Sequence, residues 1–243
     1  MTYNSVLKTA SEIAEAKRHL KALKLFPHHV FSKSWDTYKM IEIIKKSDKN
    51  SFILDVGCNN SPILPMLKKL SFTNLYGCDL VLKPKYNYNF MNILYSFYRR
   101  GYKPILEMYS DNHFNLSVQS LQETNYKNEI FDYVTSLSVI EHGVDIDKYF
   151  TEMSRILKKG GSLLTSTDYW PEKIINTKKV YSRTGPDNIF DRNDIEHVIE
   201  IGDKYGLKLI EPIDYTHADK VVHWDEIGLD FTFIFFAMKK QQS

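Results

Sequence analysis

The chain is 243 residues long, enough for one α/β domain with a small attachment and a sizeable core. Its 32 basic and 30 acidic residues leave a net charge of +2, no large field of one sign, which disfavours a dedicated binder of nucleic acid or of an anionic membrane. Two cysteines, Cys58 and Cys78, exclude a disulfide framework and a four-cysteine zinc site, so a reducing, cytoplasmic compartment is expected.

The N-terminal residues mix charges every few positions and lack the apolar run of an export signal, and no stretch has the length of a membrane span; no membrane partner is expected. From Ser11 to Leu25 the residues Ile13, Ala14, Ala16, Leu20, Leu23 and Leu25 recur at helical spacing, with Ser11 as N-cap. A second helix is predicted from about Ser34 to Lys46. Residues 1–50 therefore read as an N-terminal helical cap, and 51–243 as the main domain.

At Ser51 the period changes. Residues 51–57, ending in Asp55, Val56 and Gly57, read as a buried strand delivered to a tight turn. Ser61 and Pro62 suit a helix start, and Asn74 to Leu80 suit the next strand. Strand, turn, capped helix and strand form a βαβ unit, which requires parallel strands.

The pattern repeats with a strand over 131–139, a helix from about Asp147 to Leu157, a turn at Lys158 to Gly161 and a strand over 162–167. A helix from Asn193 to Tyr205 closes at Gly206, and strands at about Leu207 to Ile213 and Leu229 to Met238 end the chain. The expected fold is α/β, a doubly wound and mostly parallel sheet. Residues 83–113, rich in Tyr, Asn and Phe, exceed an ordinary βα connection and read as a partly helical insertion. Such an insertion covers a pocket or contacts a second subunit in a homodimer; a surface loop is the alternative.

Gly57 follows a strand, where a glycine lets backbone approach a ligand and a helix N-terminus offers free amides. A nicotinamide fingerprint carries G-x-G-x-x-G, but Asn59 and Ser61 hold the alternate positions after Gly57, which argues against a pyrophosphate cofactor. Asp79, 22 residues beyond Gly57, ends the second strand, where a carboxylate accepts hydrogen bonds from both hydroxyls of a ribose. A surface acid is the alternative.

The segments at 54–62, 76–80, 131–142 and 155–167, in that order and spacing, resemble the motif series of class I S-adenosylmethionine-dependent methyltransferases. The resemblance covers about Ser51 to Asp168 and, more loosely, the strands to Lys240. It implies a Rossmann-like sheet of seven strands with helices on both faces and an antiparallel C-terminal strand. It also implies S-adenosylmethionine as cofactor and S-adenosylhomocysteine as product. In such enzymes the first acid and glycine line the methionine part, which maps to Asp55 and Gly57, with Cys58 and Asn59 in the turn. The ribose acid maps to Asp79, with Leu80 packing on adenine. Gln119, Ser120 and Leu121 occupy the adenine-facing place without its usual acid, and Ser136 joins the cofactor residues from the fourth strand.

Neither Cys58 nor Cys78 follows a proline, as a cysteine nucleophile of the resembled enzymes would, and both read as packing residues. His142 stands just past the carboxyl end of a strand and is the candidate general base, with a cofactor-shaping role as the alternative. Glu141 bonds the turn or the methionine amine. Tyr169 or Trp170 is expected to stack on a substrate ring or sugar. Arg183, Asp187, Asp191 and Arg192 form either an anion or hydroxyl clamp or, more simply, the cap of the following helix with solvated arginines. His223 and Trp224 are further candidates at the same mouth. The histidines His113, His142, His197, His217 and His223 show no ligand spacing, so no metal is expected.

The Asn/Asp-Pro-Pro-aromatic motif of enzymes that methylate amino groups of nucleic-acid bases is missing. The function expected from these residues is O-methylation of a small polar metabolite or an activated sugar, with no nucleic-acid partner. N-methylation of a small amine or amide is one alternative, and a non-catalytic, cofactor-binding partner subunit is another.

Overall fold

A computed structural model describes residues 2–82 and 114–242; the expected insertion at 83–113 and its role in a homodimer lie outside the described residues. Residues 53–56, apolar but for Asp55, form β2 (Phe52–Val56), buried from Ile53 onward as the centre of a parallel sheet must be. β3 (Asn74–Asp79) pairs with it on one side and β5 (Phe131–Leu137) on the other, both parallel. β4 (Asn115–Val118) continues beyond β3 and β6 (Leu157–Tyr169) beyond β5, again parallel. β9 (Leu229–Lys240) then runs antiparallel to β6.

The far edge of β9 is covered by three short strands in succession: β8 (Val222–Trp224), β1 (Ser5–Val6) and β7 (Leu207–Leu209). A long apolar edge is thereby kept from pairing with another chain. The path β1-β9-β6-β5-β2-β3-β4 holds the seven strands implied by the resemblance, and β7 and β8 bring the described total to nine.

Helices cover both faces. α1 (Ala10–Ala22), α2 (Ser34–Ile44) and α3 (Ile63–Lys69) bury Ile13, Leu20, Ile41, Ile44 and Leu67 against Ile53, Leu137, Phe233 and Phe235. On the other face α4 (Ile146–Ile156) and α5 (Arg192–Lys204) bury Tyr149, Met153, Ile195 and Val198 against Leu54, Val134, Leu163 and Phe236. The alternation of Ile53 and Leu54, and of Phe235 and Phe236, between the two cores is the period of two of a strand with both faces covered. Each such side chain contributes roughly 1.5–3 kcal/mol of burial.

Several local expectations shift. α1 starts after Thr9, not Ser11, and the two hydroxyls bond each other at 2.7 Å. The segment expected as a helical cap also supplies β1, and the buried Lys39 of α2 ties it down by donating to Tyr3 O at 2.6 Å and Ser5 Oγ at 2.7 Å. Lys158 to Gly161, expected as a turn, is a bulge inside β6: Phe131 pairs with Leu157, and pairing resumes at Tyr133 with Ser162.

From β2 the chain proceeds to β3 and β4 on one side; from β5 it proceeds to β6 and β9 on the other. The connections leaving β2 and β5 diverge, and a crevice opens at their carboxyl ends, the place where open α/β sheets bind ligands. No described helix is long and apolar enough to cross a membrane.

Candidate active site

The turn after β2 forms one wall of the crevice. Gly57 has φ +68°, and a Cβ there would lie 2.5 Å from Val139 Cγ2, so only glycine lets this turn and the segment after β5 meet. Its amide is not free as expected. Gly57 N and Cys58 N both donate to Cys78 O, at 2.8 and 3.2 Å, and Ser61 N donates to Cys58 O at 3.1 Å. The amides of Gly57 and Cys58 are thus taken by β3 and that of Ser61 by the turn itself.

Asp79 is held by two amides, one on each oxygen: Asn59 N donates to Oδ2 at 3.0 Å and Val81 N to Oδ1 at 3.2 Å. Each carboxylate oxygen keeps a lone pair for a further donor. Leu80 beside it is 43% exposed. Gln119 N donates to Asp79 O at 3.0 Å, which sets the 119–121 segment against the end of β3. The Gln119 side chain holds Ser117 and Asn125 N, Ser120 Oγ accepts from Gln122 N at 3.2 Å, and the Leu121 side chain belongs to the core under the sheet.

Asp55 is fully buried and accepts from Thr135 Oγ1 at 2.6 Å. Burial pushes its carboxyl up to about 7, against the Ser61 and Thr135 hydroxyls, which favour the ionised form. Cys58 and Cys78 are buried, and burial pushes both thiols up, Cys78 to about 12, so neither is a nucleophile and both fill space.

Two expected ligand contacts are corrected. The Ser136 side chain is fully buried on the α4 face beside the Tyr149 hydroxyl, because Ser136 shares the orientation of Val134 in the strand period. The residue that reaches the crevice is Ser138, which leaves β5 with φ +51° and accepts a hydrogen bond from Lys33 Nζ. The Tyr169 ring is also fully buried, in the core with Phe190 and Ile195, and cannot stack on a substrate.

Trp170 points to the opposite core and is half-buried, with Lys220 Nζ 4.8 Å above its ring. The expected clamp does not form either. Asp191 caps α5 in a reciprocal box with Asp194, and Arg192 bonds Glu196 at 2.9 Å and lies over Tyr215.

Asp187 leaves that group for another partner. His142 Nδ1 is 2.8 Å from Asp187 Oδ1, and the carboxylate also accepts from Val180 N at 2.5 Å, Ser182 N at 2.7 Å and Tyr181 N at 3.2 Å. Burial would raise the Asp187 carboxyl, but these amides and the imidazole hold it below the usual carboxylate range. An ionised carboxylate can only accept, so Nδ1 carries the proton and Nε2 presents the lone pair. Burial also lowers the His142 pKa, with Asp168 and Asp187 opposing, which keeps the ring neutral. Gly143, at φ +75°, makes room for the loop that brings Asp187 in: a Cβ there would meet Ser182 Oγ and Thr184 Oγ1 at 2.5 Å.

Tyr181 and Trp224 stack at 5.8 Å beside His142, with Trp224 6.4 Å and Tyr181 5.2 Å from the imidazole. Beneath them lie three acids, Asp36, Glu141 and Asp168, with Lys33. Lys33, Asp36, Ser138 and Tyr181 were not legible as site residues. Asp36 alone left a signal, an acid inside the otherwise apolar-rich start of α2. Among the described residues no three His, Cys, Asp or Glu side chains group as metal ligands.

The family model described as "Methyltransferase domain" matches residues 28–211. A curated relative, the mitochondrial ubiquinone biosynthesis O-methyltransferase of Rattus norvegicus, is 31% identical over 116 residues, 47% of this chain and 30% of that protein, so the chain spans under a third of that relative's length. Among solved structures, the Burkholderia thailandensis 1,6-didemethyltoxoflavin-N1-methyltransferase, with 1,6-didemethyltoxoflavin and S-adenosylhomocysteine bound, superposes at a TM-score of 0.56. It is 11% identical, covering 97% of this chain and 92% of that one. The Haemonchus contortus phosphoethanolamine N-methyltransferase 2, in complex with S-adenosylmethionine, gives 0.56 at 18% identity, over 96% and 58%. With a family match spanning most of its length, laid on a doubly wound sheet with its crevice at the β2/β5 divergence, the chain belongs to the methyltransferase family, within the class I S-adenosylmethionine-dependent superfamily.

Proposed function

We propose that this protein transfers the methyl group of S-adenosylmethionine to a hydroxyl oxygen of a small polar acceptor, a polar metabolite or an activated sugar, with His142 as general base. The residues at the crevice fit that cofactor. Gly57 lets the turn after β2 close against Val139, where a Cβ would collide, and the fixed Asp79 carboxylate has lone pairs left for two ribose hydroxyls. Exposed Leu80 is placed for the adenine ring, with Gln119 and Ser120 alongside, and Asn59 stands in the turn after β2 with Asp55 and Cys58 buried behind it.

When bound, the cofactor supplies an electrophilic methyl group, so the tasks left to the protein are positioning, exclusion of water and removal of one proton. The observation that carries the reading is the His142–Asp187 pair. Asp187 fixes the tautomer and the ring plane, Nε2 takes the hydroxyl proton, and the carboxylate steadies the imidazolium that results. Trp224 and Tyr181, stacked beside His142, offer aromatic faces to an acceptor. That the curated relative is by name an O-methyltransferase supports oxygen as the atom methylated.

The test is a screen of hydroxyl-bearing acceptors for release of S-adenosylhomocysteine. Turnover that depends on His142 supports the reading. Cofactor binding without turnover on any acceptor would overturn it in favour of a non-catalytic, cofactor-binding subunit.

A further inference from the structure

Three carboxyl groups converge where β5 and β6 end against the start of α2. Asp36 and Glu141 are fully buried and Asp168 is 4% exposed. Asp36 is satisfied: Thr37 N donates to Oδ1 at 2.8 Å and Ser166 Oγ to Oδ2 at 3.0 Å. Glu141 is half satisfied, with Thr167 Oγ1 donating to Oε2 at 2.9 Å and Oε1 left with no partner. The Asp168 carboxyl has no hydrogen bond among the described residues, and it faces Glu141, Lys33, His142 and Asp36.

None of the three acids is in an ion pair among the described residues. Among the described residues Lys33 is the lysine whose charge acts on all three, and its ammonium also donates to Ser138 Oγ and lies 4.1 Å over the Phe233 ring. Buried carboxyls in excess of cations are costly unless something neutralises them. Without a partner their charged forms are disfavoured: burial pushes all three carboxyls up, Asp36 to about 6.

We propose that Asp168 and Glu141, backed by Asp36, form a subsite for a protonated amine carried by the acceptor. An ammonium brings three N–H donors and one positive charge, which matches the unbonded Glu141 Oε1 and the unbonded Asp168 carboxyl. A hydroxyl brings one donor and no charge. The subsite shares its floor with His142, so an amine anchored there holds a hydroxyl of the same molecule within the reach of the base. The inference rests on the acceptor site proposed above and names the chemical class that the site selects.

Binding, measured without turnover, separates the two readings. The protein saturated with S-adenosylhomocysteine is titrated with two matched pairs, tyramine against tyrosol and D-glucosamine against D-glucose, by calorimetry or ligand-observed NMR. The amine of at least one pair is expected to bind at least about tenfold more tightly than its alcohol. In Asp168→Asn and Glu141→Gln the preference is expected to fall to within about threefold, while S-adenosylhomocysteine still binds.

Three results would each overturn the subsite: equal binding of amine and alcohol, no binding by either amine, or a preference retained in both variants. An amine that binds the free protein but is displaced by S-adenosylhomocysteine also overturns it, because the acids then serve the cofactor. If a variant does not fold, the matched-pair comparison on the unaltered protein still decides. Amine selectivity without His142-dependent turnover would keep the subsite and sink the base.

Discussion

His142 and Asp187 are 45 residues apart in the chain, and their Nδ1 and Oδ1 atoms are 2.8 Å apart. The carboxylate is pinned from behind by three consecutive backbone amides, Val180 to Ser182, so the imidazole is oriented by a group that cannot rotate away. His142→Ala is expected to lower kcat by about 10²–10⁴, the range for a lost general base, with S-adenosylhomocysteine affinity retained. The pH profile carries the sign. His142 acts when deprotonated and its pKa lies below the ordinary value of 6.5, so activity falls as pH drops below that value. Asp187 raises the His142 pKa, so in Asp187→Asn the acid limb moves to lower pH while kcat falls. A limb that stays in place would assign Asp187 a purely structural role.

Asp79 is expected to govern cofactor affinity. Asp79→Ala removes the acceptor for two ribose hydroxyls and also orphans the amides of Asn59 and Val81. Calorimetry with S-adenosylhomocysteine should show a loss of about 1.5–3 kcal/mol, the range for hydrogen bonds to charged groups. Unchanged affinity in a folded Asp79→Ala protein rules the ribose role out.

Gly57 tests the close approach of the turn to Val139. Gly57→Ala introduces a left-handed alanine, which costs about 1–2 kcal/mol, and a Cβ 2.5 Å from Val139 Cγ2. Pairing it with Val139→Ala relieves the contact but not the backbone cost. The double variant should regain part of the lost cofactor affinity and keep a melting temperature below that of the unaltered protein. Full recovery of both would show that the conformation of Gly57 is not what the turn requires.

The buried acids predict an inverted pH dependence of stability. Burial raises the carboxyl of Asp168, so the folded protein holds that proton more tightly than the unfolded chain. The stabilisation is complete below the ordinary carboxylate value of 3.8 and is lost as pH rises through the raised one. With no ligand bound, the melting temperature relative to Asp168→Asn should therefore decline from about pH 4 to about pH 8. A difference that stays flat across this window would mean that Asp168 titrates as an ordinary surface acid.

Much of this protein was legible in the chain itself. Strand period and turn chemistry placed β2, β3, β5 and β9 to within a few residues, because a strand buried on both faces leaves an apolar run that ends where a Gly or Asp must turn it. Asp79 was legible for a related reason: a carboxylate at the end of a strand, at a set distance past a glycine turn, is a local pattern. Leu207–Leu209 came out shorter than expected, and Val222–Trp224 formed a strand where a connection was expected, because both depend on how much of the β9 edge β1 leaves uncovered.

What tertiary structure alone decided is the set of partners. Ser136 and Tyr169 lie in motifs that pointed to the ligand, yet their side chains fall on the side of the sheet packed by α4 and α5, a difference of one residue in register that composition does not carry. Asp187 looked like part of a surface clamp until the loop after β6 folded back over Gly143 and delivered it to His142. Lys33, Asp36, Glu141 and Asp168 come from three separate stretches of chain. Their shared excess of buried negative charge exists only once β5, β6 and α2 are packed together, because the energy of an unpaired carboxyl depends on what surrounds it.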